Sequence, residues 1–296
     1  MRGRREAAHD ASMIDMGSRT LMLGEFAGNS RVLEAGGFRT SLVDVGEGAP
    51  LLLLHGGIEC GGAMWGTVLP ALARDHHVVA PDVPGLGESD PTDRLDVATF
   101  KEWLTVVIRA TGLDRPVLVA HSTIGSLAAR FAALRTGLIS RLIVYAAPAV
   151  GPYRMPLGLR YVGIRFGLRP SPRNAERFER FALLDLDSTR RRDPAWFDAF
   201  DAYNRARAGV PHVKKTMRTI VGTQTKQIPD TDLDRIDVPT TLLWGRQDRM
   251  VPLAIGQAAA MRHAWPLHVI DDAAHVPHME QPDAFVASLQ SILATA

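Results

Sequence analysis

A serine hydroxyl attacks a carbonyl carbon only when a base takes its proton, and the base needs a carboxylate to fix its tautomer. Ser122, Asp248 and His275 supply those three groups, in that order along the chain. Each follows a short apolar run that reads as a buried strand: residues 117–120, 241–244 and 268–270. His55, Asp82 and His121 follow strand-like runs in the same way. In a sheet of parallel strands, residues placed like this meet in the crevice at the strand C-termini. Ser122 also stands at the bend between its strand and a helix-forming run from Ile124 to Leu134. That bend throws the side chain out above the sheet, and the first helix amides point at whatever the oxygen attacks. Taken without its partners, Ser122 reads nearly as well as a plain helix cap.

The elements that must carry these groups alternate. Residues 32–45 read as two extended segments around Gly36-Gly37, a hairpin signal. Strands follow at 51–54, 77–80, 117–120 and 142–145, with helices at 65–74, 97–110 and 124–134 between them. Short apolar strands alternating with helices argue a parallel sheet covered on both faces. The pattern breaks at Pro148 and resumes after Pro239 with strands at 241–244 and 268–270 and helices at 253–261 and 282–293. Between the breaks, residues 150–220 hold 15 Lys+Arg against 7 Asp+Glu, a local charge of +8 in a chain of net +2. Helices are expected there at 157–168, 174–186 and 194–207. The resulting division is an N-terminal extension (1–30), a core (31–148 and 233–296) and a helical lid (149–232). The extension reads as loose because it shows no sustained periodicity.

Composition excludes several classes. With 296 residues, 46% of them apolar, the chain can bury a large core. One cysteine, Cys60, rules out an internal disulfide and points to a reducing, cytoplasmic setting. No apolar run reaches the roughly 20 residues that span a bilayer. Net charge gives no case for nucleic acid. The histidines are scattered without metal-ligand spacing, and Gly85-Leu-Gly87 lacks the third glycine of a dinucleotide loop, so neither metal nor cofactor is expected.

Five stretches together resemble the α/β-hydrolases: Leu-Leu-His55-Gly-Gly, Asp82-Val-Pro-Gly-Leu-Gly-Glu-Ser, Ala120-His-Ser-Thr-Ile-Gly, Trp244-Gly-Arg-Gln-Asp248-Arg-Met-Val-Pro and Ala274-His275-Val-Pro-His-Met-Glu-Gln-Pro. The resemblance covers residues 31–296. It implies a doubly wound, mostly parallel eight-stranded sheet with a helical lid inserted after the sixth strand. It implies Ser122 as nucleophile, His275 as base and Asp248 as its orienter. It points to the amides of Thr123 and Gly57, with Ile58 as fallback, as the oxyanion hole. Ile58, Trp65, Ile124 and Val276 are candidates to touch substrate. The chain departs from the family at the elbow, where Ile124 stands two residues after the serine and glycine is delayed to Gly125. That departure implies a shifted turn, a remodelled pocket or weakened hydrolysis.

Other residues carry plainer readings. His121 and His55 read as structural, His278 as a less fitting base than His275, and Asp82 as a loop-ordering carboxylate. Asp271 and Asp272 are too close to His275 to reach around it. Cys60 reads as a spectator, and Met64 and Trp65 as core before pocket. The lid arginines read as a solvated face, or, for Arg160, Arg165 and Arg169, as guides for an anionic substrate. The stretch from Met155 to Leu168, apolar on two sides, could meet a membrane or a second subunit in a homodimer, though burial under the lid is simpler. The expected activity is hydrolysis of a small-molecule ester or lactone through an acyl-enzyme, as in the esterases and enol-lactonases that the His275 stretch resembles. The first alternative is carbon–carbon hydrolysis, disfavoured because Val276 stands where many meta-cleavage-product hydrolases have an aromatic residue. The second is a binding protein, or a cofactor-free lyase or oxygenase, with a repurposed triad.

Overall fold

The computed structural model describes residues 16–57 and 61–295. The strands are β1 (Ser30–Ala35), β2 (Phe38–Val45), β3 (Ala49–Leu54), β4 (His76–Pro81), β5 (Val117–His121), β6 (Arg141–Tyr145), β7 (Thr240–Gly245) and β8 (Leu267–Ile270). They form one eight-stranded sheet in the order β1-β2-β4-β3-β5-β6-β7-β8. β2 runs antiparallel to β1 and β4, and all other neighbours are parallel. Gly36 and Gly37 both have positive φ (58° and 83°), the mirror-image turn whose twist matches a tight hairpin. β5 and β6 are central and almost wholly buried, as their unbroken apolar runs require.

Residues 16–23 form α1, followed by α2 (Leu69–Leu72), α3 (Val97–Ala110), α4 (Ser122–Ala132), α5 (Leu157–Leu168), α6 (Pro172–Ala182), α7 (Leu186–Arg192), α8 (Pro194–Gly209), α9 (Pro211–Gln224), α10 (Asp230–Leu233), α11 (Leu253–His263), α12 (Pro277–Glu280) and α13 (Pro282–Ala294). Local chemistry sets several starts. Asp96, Asp185 and Asp193 cap α3, α7 and α8 by accepting from the amides of Thr99, Ser188 and Trp196. Proline occupies the first turn of α6, α8 and α9, where its missing N–H costs nothing. α4 packs on β5 and β6, and its face is buried from Ser122 to Ala132 except at Arg130.

Three details differ from the sequence expectation. The expected helix at 65–74 is a 3-10 turn, Gly62–Thr67, running into the short α2. Helices α7 and α9 were not expected. The supposedly loose extension is, over residues 16–29, helical and docked. Arg19 is its anchor: the buried guanidinium pairs with Asp82 at 3.0 Å and donates to the Tyr203 hydroxyl on α8 at 3.2 Å. Met22 and Leu23 add buried apolar contact, and the Met22 carbonyl accepts from the Trp196 indole at 3.0 Å; two adjacent apolar residues are too few to show a period.

Helices α5 to α9 fill residues 157–224 between β6 and β7 and pack on one another, with α9 also resting on α4. Among the described residues, no helix is long and apolar enough to cross a membrane.

Candidate active site

Ser122 begins α4 with φ +55°, left-handed backbone that a residue with a side chain avoids at about 1–2 kcal/mol. The strain turns β5 into α4 with no intervening loop and lifts the hydroxyl off the sheet. The tight approach behind this turn falls at Gly125. A Cβ there would lie 2.5 Å from the Ala120 carbonyl oxygen and 3.1 Å from the Ala147 Cβ. Ile124 is fully buried in the hydrophobic core. The small residue needed for close helix–strand packing is therefore present one position later, and Ile124 is a core residue.

The Ser122 Oγ lies 3.0 Å from the His275 Nε2, and the His275 Nδ1 lies 2.8 Å from the Asp248 Oδ2. An ionised Asp248 can only accept, so the proton sits on Nδ1 and Nε2 is left to accept from the serine. The other Asp248 oxygen accepts from the amides of Met250 and Val251, both at 2.8 Å, which fixes the carboxylate after β7. Together the three side chains can move a proton from Ser122 to His275 while Asp248 stabilises the resulting imidazolium.

Beneath them lies a layer of neutral rings. His121 donates from Nε2 to the His275 carbonyl oxygen at 2.9 Å, and the Tyr145 hydroxyl is 3.0 Å from the His278 Nδ1. Burial pushes His121 well below the usual imidazole range, and it lowers His278 to about 3. Neither ring is charged near neutral pH. His55, also lowered by burial, accepts the Val83 amide at Nε2 (3.0 Å) and orders the loop after β4. Asp82 accepts from the amides of Gly62 (2.6 Å) and Glu88 (2.8 Å) and reaches none of the three site groups.

Glu280 was not singled out from the sequence. Its buried carboxylate accepts from the amides of Ala274 (2.9 Å) and Val276 (3.2 Å), on either side of His275, and of Leu184 (2.7 Å) in the insertion. Burial pushes its carboxyl up while the three amides pull it down. The His275 amide itself donates to the Ala182 carbonyl at 3.0 Å. The histidine loop and the end of α6 are thus one hydrogen-bonded unit. A glutamate five residues after a candidate histidine and flanked by Met279 and Gln281 is the signal that could have found it.

Ser122 and His275 open into a cavity of about 650 Å³. Gly57 and Thr123 also line it and are adjacent: a Cβ on Gly57 would lie 3.1 Å from the Thr123 Oγ1, a hydroxyl with no partner among the described residues. The remaining wall is mostly apolar, with Met155, Leu159, Phe166, Phe178, Met217 and Val251 from α5, α6, α9 and nearby loops. Its cations are Arg160 and Arg218, both exposed, and Lys214, half-buried. Arg165 and Arg169 do not line the cavity. Of the residues expected to touch substrate, Trp65, Ile124 and Val276 do not line it either. Trp65 is fully buried and packs on His278 with ring centroids 4.5 Å apart, and Met64 is buried beside it in sequence. Val276 is buried, its amide held by Glu280. Ile58 and Cys60 lie outside the described residues. The wall built by α9 was missed because that helix was missed. Its signal was Pro211 followed by Val213, Met217, Ile220 and Val221 at helical spacing.

The fold agrees with comparison to known proteins. The sequence profile of the Alpha/beta hydrolase family matches residues 51–288. The chain is 29% identical over 280 residues to the 2-hydroxy-6-oxo-2,4-heptadienoate hydrolase of Pseudomonas putida, covering 89% of this chain and 96% of that one. It is 27% identical over 263 residues to the pimeloyl-[acyl-carrier protein] methyl ester esterase of Vibrio atlanticus, covering 83% of this chain and 95% of that one. Among solved structures, a bacterial membrane phospholipase A superposes with a TM-score of 0.77 at 21% identity over 97% of this chain and 91% of that one, a likeness of fold. A family match spanning most of the chain, on a sheet of this order and direction, makes the protein a member of the Alpha/beta hydrolase family and a hydrolase.

Proposed function

We propose that the protein is a serine hydrolase that cleaves a small-molecule carboxylic ester or lactone with an apolar acyl part. The observation that carries this reading is the Ser122–His275–Asp248 hydrogen-bond chain opening onto a largely apolar cavity. Ser122 attacks the acyl carbon as His275 takes its proton. The oxyanion rests on the amides of Thr123 and Gly57, each donor worth on the order of 3 kcal/mol. His275 returns the proton to the leaving oxygen, then activates the water that clears the acyl-enzyme. What supports His275 as the base is that its ring lies between the Ser122 hydroxyl and the Asp248 carboxylate, while the His121 ring meets the His275 carbonyl and the His278 ring the Tyr145 hydroxyl.

The test is turnover of p-nitrophenyl acetate and butyrate by the wild type and Ser122→Ala, with fluorophosphonate labelling. Ser122→Ala should lose about 10⁴–10⁶ in kcat and all labelling. A wild type that neither turns esters over nor takes the label overturns the reading.

Carbon–carbon hydrolysis of a diketone-type substrate is the second reading, favoured by the 29% identity to a 2-hydroxy-6-oxo-2,4-heptadienoate hydrolase. Such a substrate carries a carboxylate, and the cavity lining holds three cations, Arg160 and Arg218 exposed and Lys214 half-buried. A higher kcat/KM on a 2-hydroxy-6-oxo-dienoate than on p-nitrophenyl butyrate would select it.

A further inference from the structure

α5 is a twelve-residue helix with apolar residues on two sides. Leu159 and Phe166 face inward and are buried. Leu157, Tyr161, Ile164 and Leu168, spaced four, three and four apart, share the opposite stripe. That stripe is 81%, 57%, 52% and 75% exposed, so the expected burial under the lid applies to one side of the helix only. Three turns of apolar side chains in water are a docking surface or a liability.

The charge around the stripe says what it meets. Residues 151–175 hold five arginines and no acidic residue. By helical angle Arg160 and Arg165 flank the stripe on its two sides, and the Arg165 guanidinium lies 5.6 Å from the Tyr161 ring centroid. An apolar ridge with an aromatic ring, edged by cations, matches the boundary between acyl chains and anionic headgroups. A second copy fits poorly: a two-fold contact through α5 sets the arginines of one copy against those of the other, with no acid on the helix to answer them.

We propose that the exposed face of α5 docks the protein onto an anionic phospholipid bilayer. Arg160, Ile164 and Leu168 belong both to this helix and to the cavity wall, so docking faces that wall toward the lipid. An apolar substrate then enters from the membrane without crossing water. That last step rests on the hydrolase reading above; the docking does not.

The experiment is co-sedimentation of the full chain with vesicles of phosphatidylcholine alone or mixed with phosphatidylglycerol. Protein should pellet with the mixed vesicles, weakly with the neutral ones, and be released by high salt. Arg165→Gln should weaken binding about fivefold. Leu157→Ser with Tyr161→Ser, neither residue lining the cavity, should abolish it while p-nitrophenyl butyrate turnover and Tm stay unchanged. Ser122→Ala should bind like the wild type, which separates docking from catalysis. The proposal is overturned if the mixed vesicles recruit no protein, or if the double variant still binds. It is equally overturned if size exclusion shows a wild-type dimer that the double variant converts to monomer, because a second copy then owns the face.

Discussion

The strand-end site and the helical insertion solve opposite problems. At the strand ends, each site group is held by backbone: the strained turn at Ser122, two amides on Asp248, and the Glu280 carboxylate clasping the amides beside His275. Few conformations are left, as proton transfer over about 3 Å demands. In the insertion, side chains set the wall, and both backbone and side-chain contacts attach it. Attachment comes at the end of α6, through Ala182 and Leu184, and on α8, through Tyr203 and Arg207. On the proposed hydrolase reading, chemistry and specificity are separable here: the candidate reacting groups sit at the ends of the sheet strands, and most of the cavity wall comes from the helices between β6 and β7.

Asp248→Asn strikes hardest at this division. With the carboxylate gone, His275 can take the wrong tautomer while its position stays, and kcat should fall about 10⁴-fold with KM nearly unchanged. Burst kinetics on a p-nitrophenyl ester would read it, and a loss under tenfold would break the reading that Asp248 fixes the His275 tautomer.

Asp82→Asn probes the attachment. Asp82 touches no site group but neutralises Arg19, which is buried and reaches Tyr203 on α8. Removing the negative charge leaves a buried cation with reduced compensation, at a cost approaching about 3–5 kcal/mol. Denaturant unfolding should register that loss, while the folded fraction keeps wild-type kcat. A variant as stable as the wild type would mean that the N-terminal segment does not tie the insertion to the core.

The smallest effect separates the regions by pH. Burial lowers His278 beneath the site from 6.5 to about 3, so between those values the unfolded chain holds a proton that the folded chain lacks. Stability there falls as pH drops. Glu179 on α6 is raised from 4.5 to about 8, by burial first and the Asp201 carboxylate second. Between those values the folded chain holds the extra proton, so its contribution falls as pH rises. Glu179→Gln should lift Tm by about 2–4 °C at pH 9 and leave it nearly unchanged at pH 4. Equal shifts at both pH values would show that Glu179 does not titrate in the folded insertion.

Strand and helix alternation was legible because buried parallel strands must be continuous and apolar, as residues 51–54 and 142–145 are. The alignment of Ser122, Asp248 and His275 was legible because each follows such a strand and the sheet brings strand ends together. α9 was missed although its stripe of Val213, Met217, Ile220 and Val221 has helical spacing, because threonines and basic residues interleave it. Nor was α1 legible, which is held by Arg19 reaching Asp82, 63 residues away in sequence, and by Met22 and Leu23 in the core, too short a stretch to show a period.

By itself, the sequence determined the run of core strands and the three residue types that could share a proton, because these follow from local pattern and from strand direction. Only the tertiary structure decided that Gly125, and not residue 124, takes the close approach to β5, that Trp65, Ile124 and Val276 sit outside the cavity lining, and that one stripe of α5 faces solvent. Those outcomes depend on which distant atoms come within a few ångströms of one another. Periodicity along a chain cannot encode which of two apolar faces finds a partner.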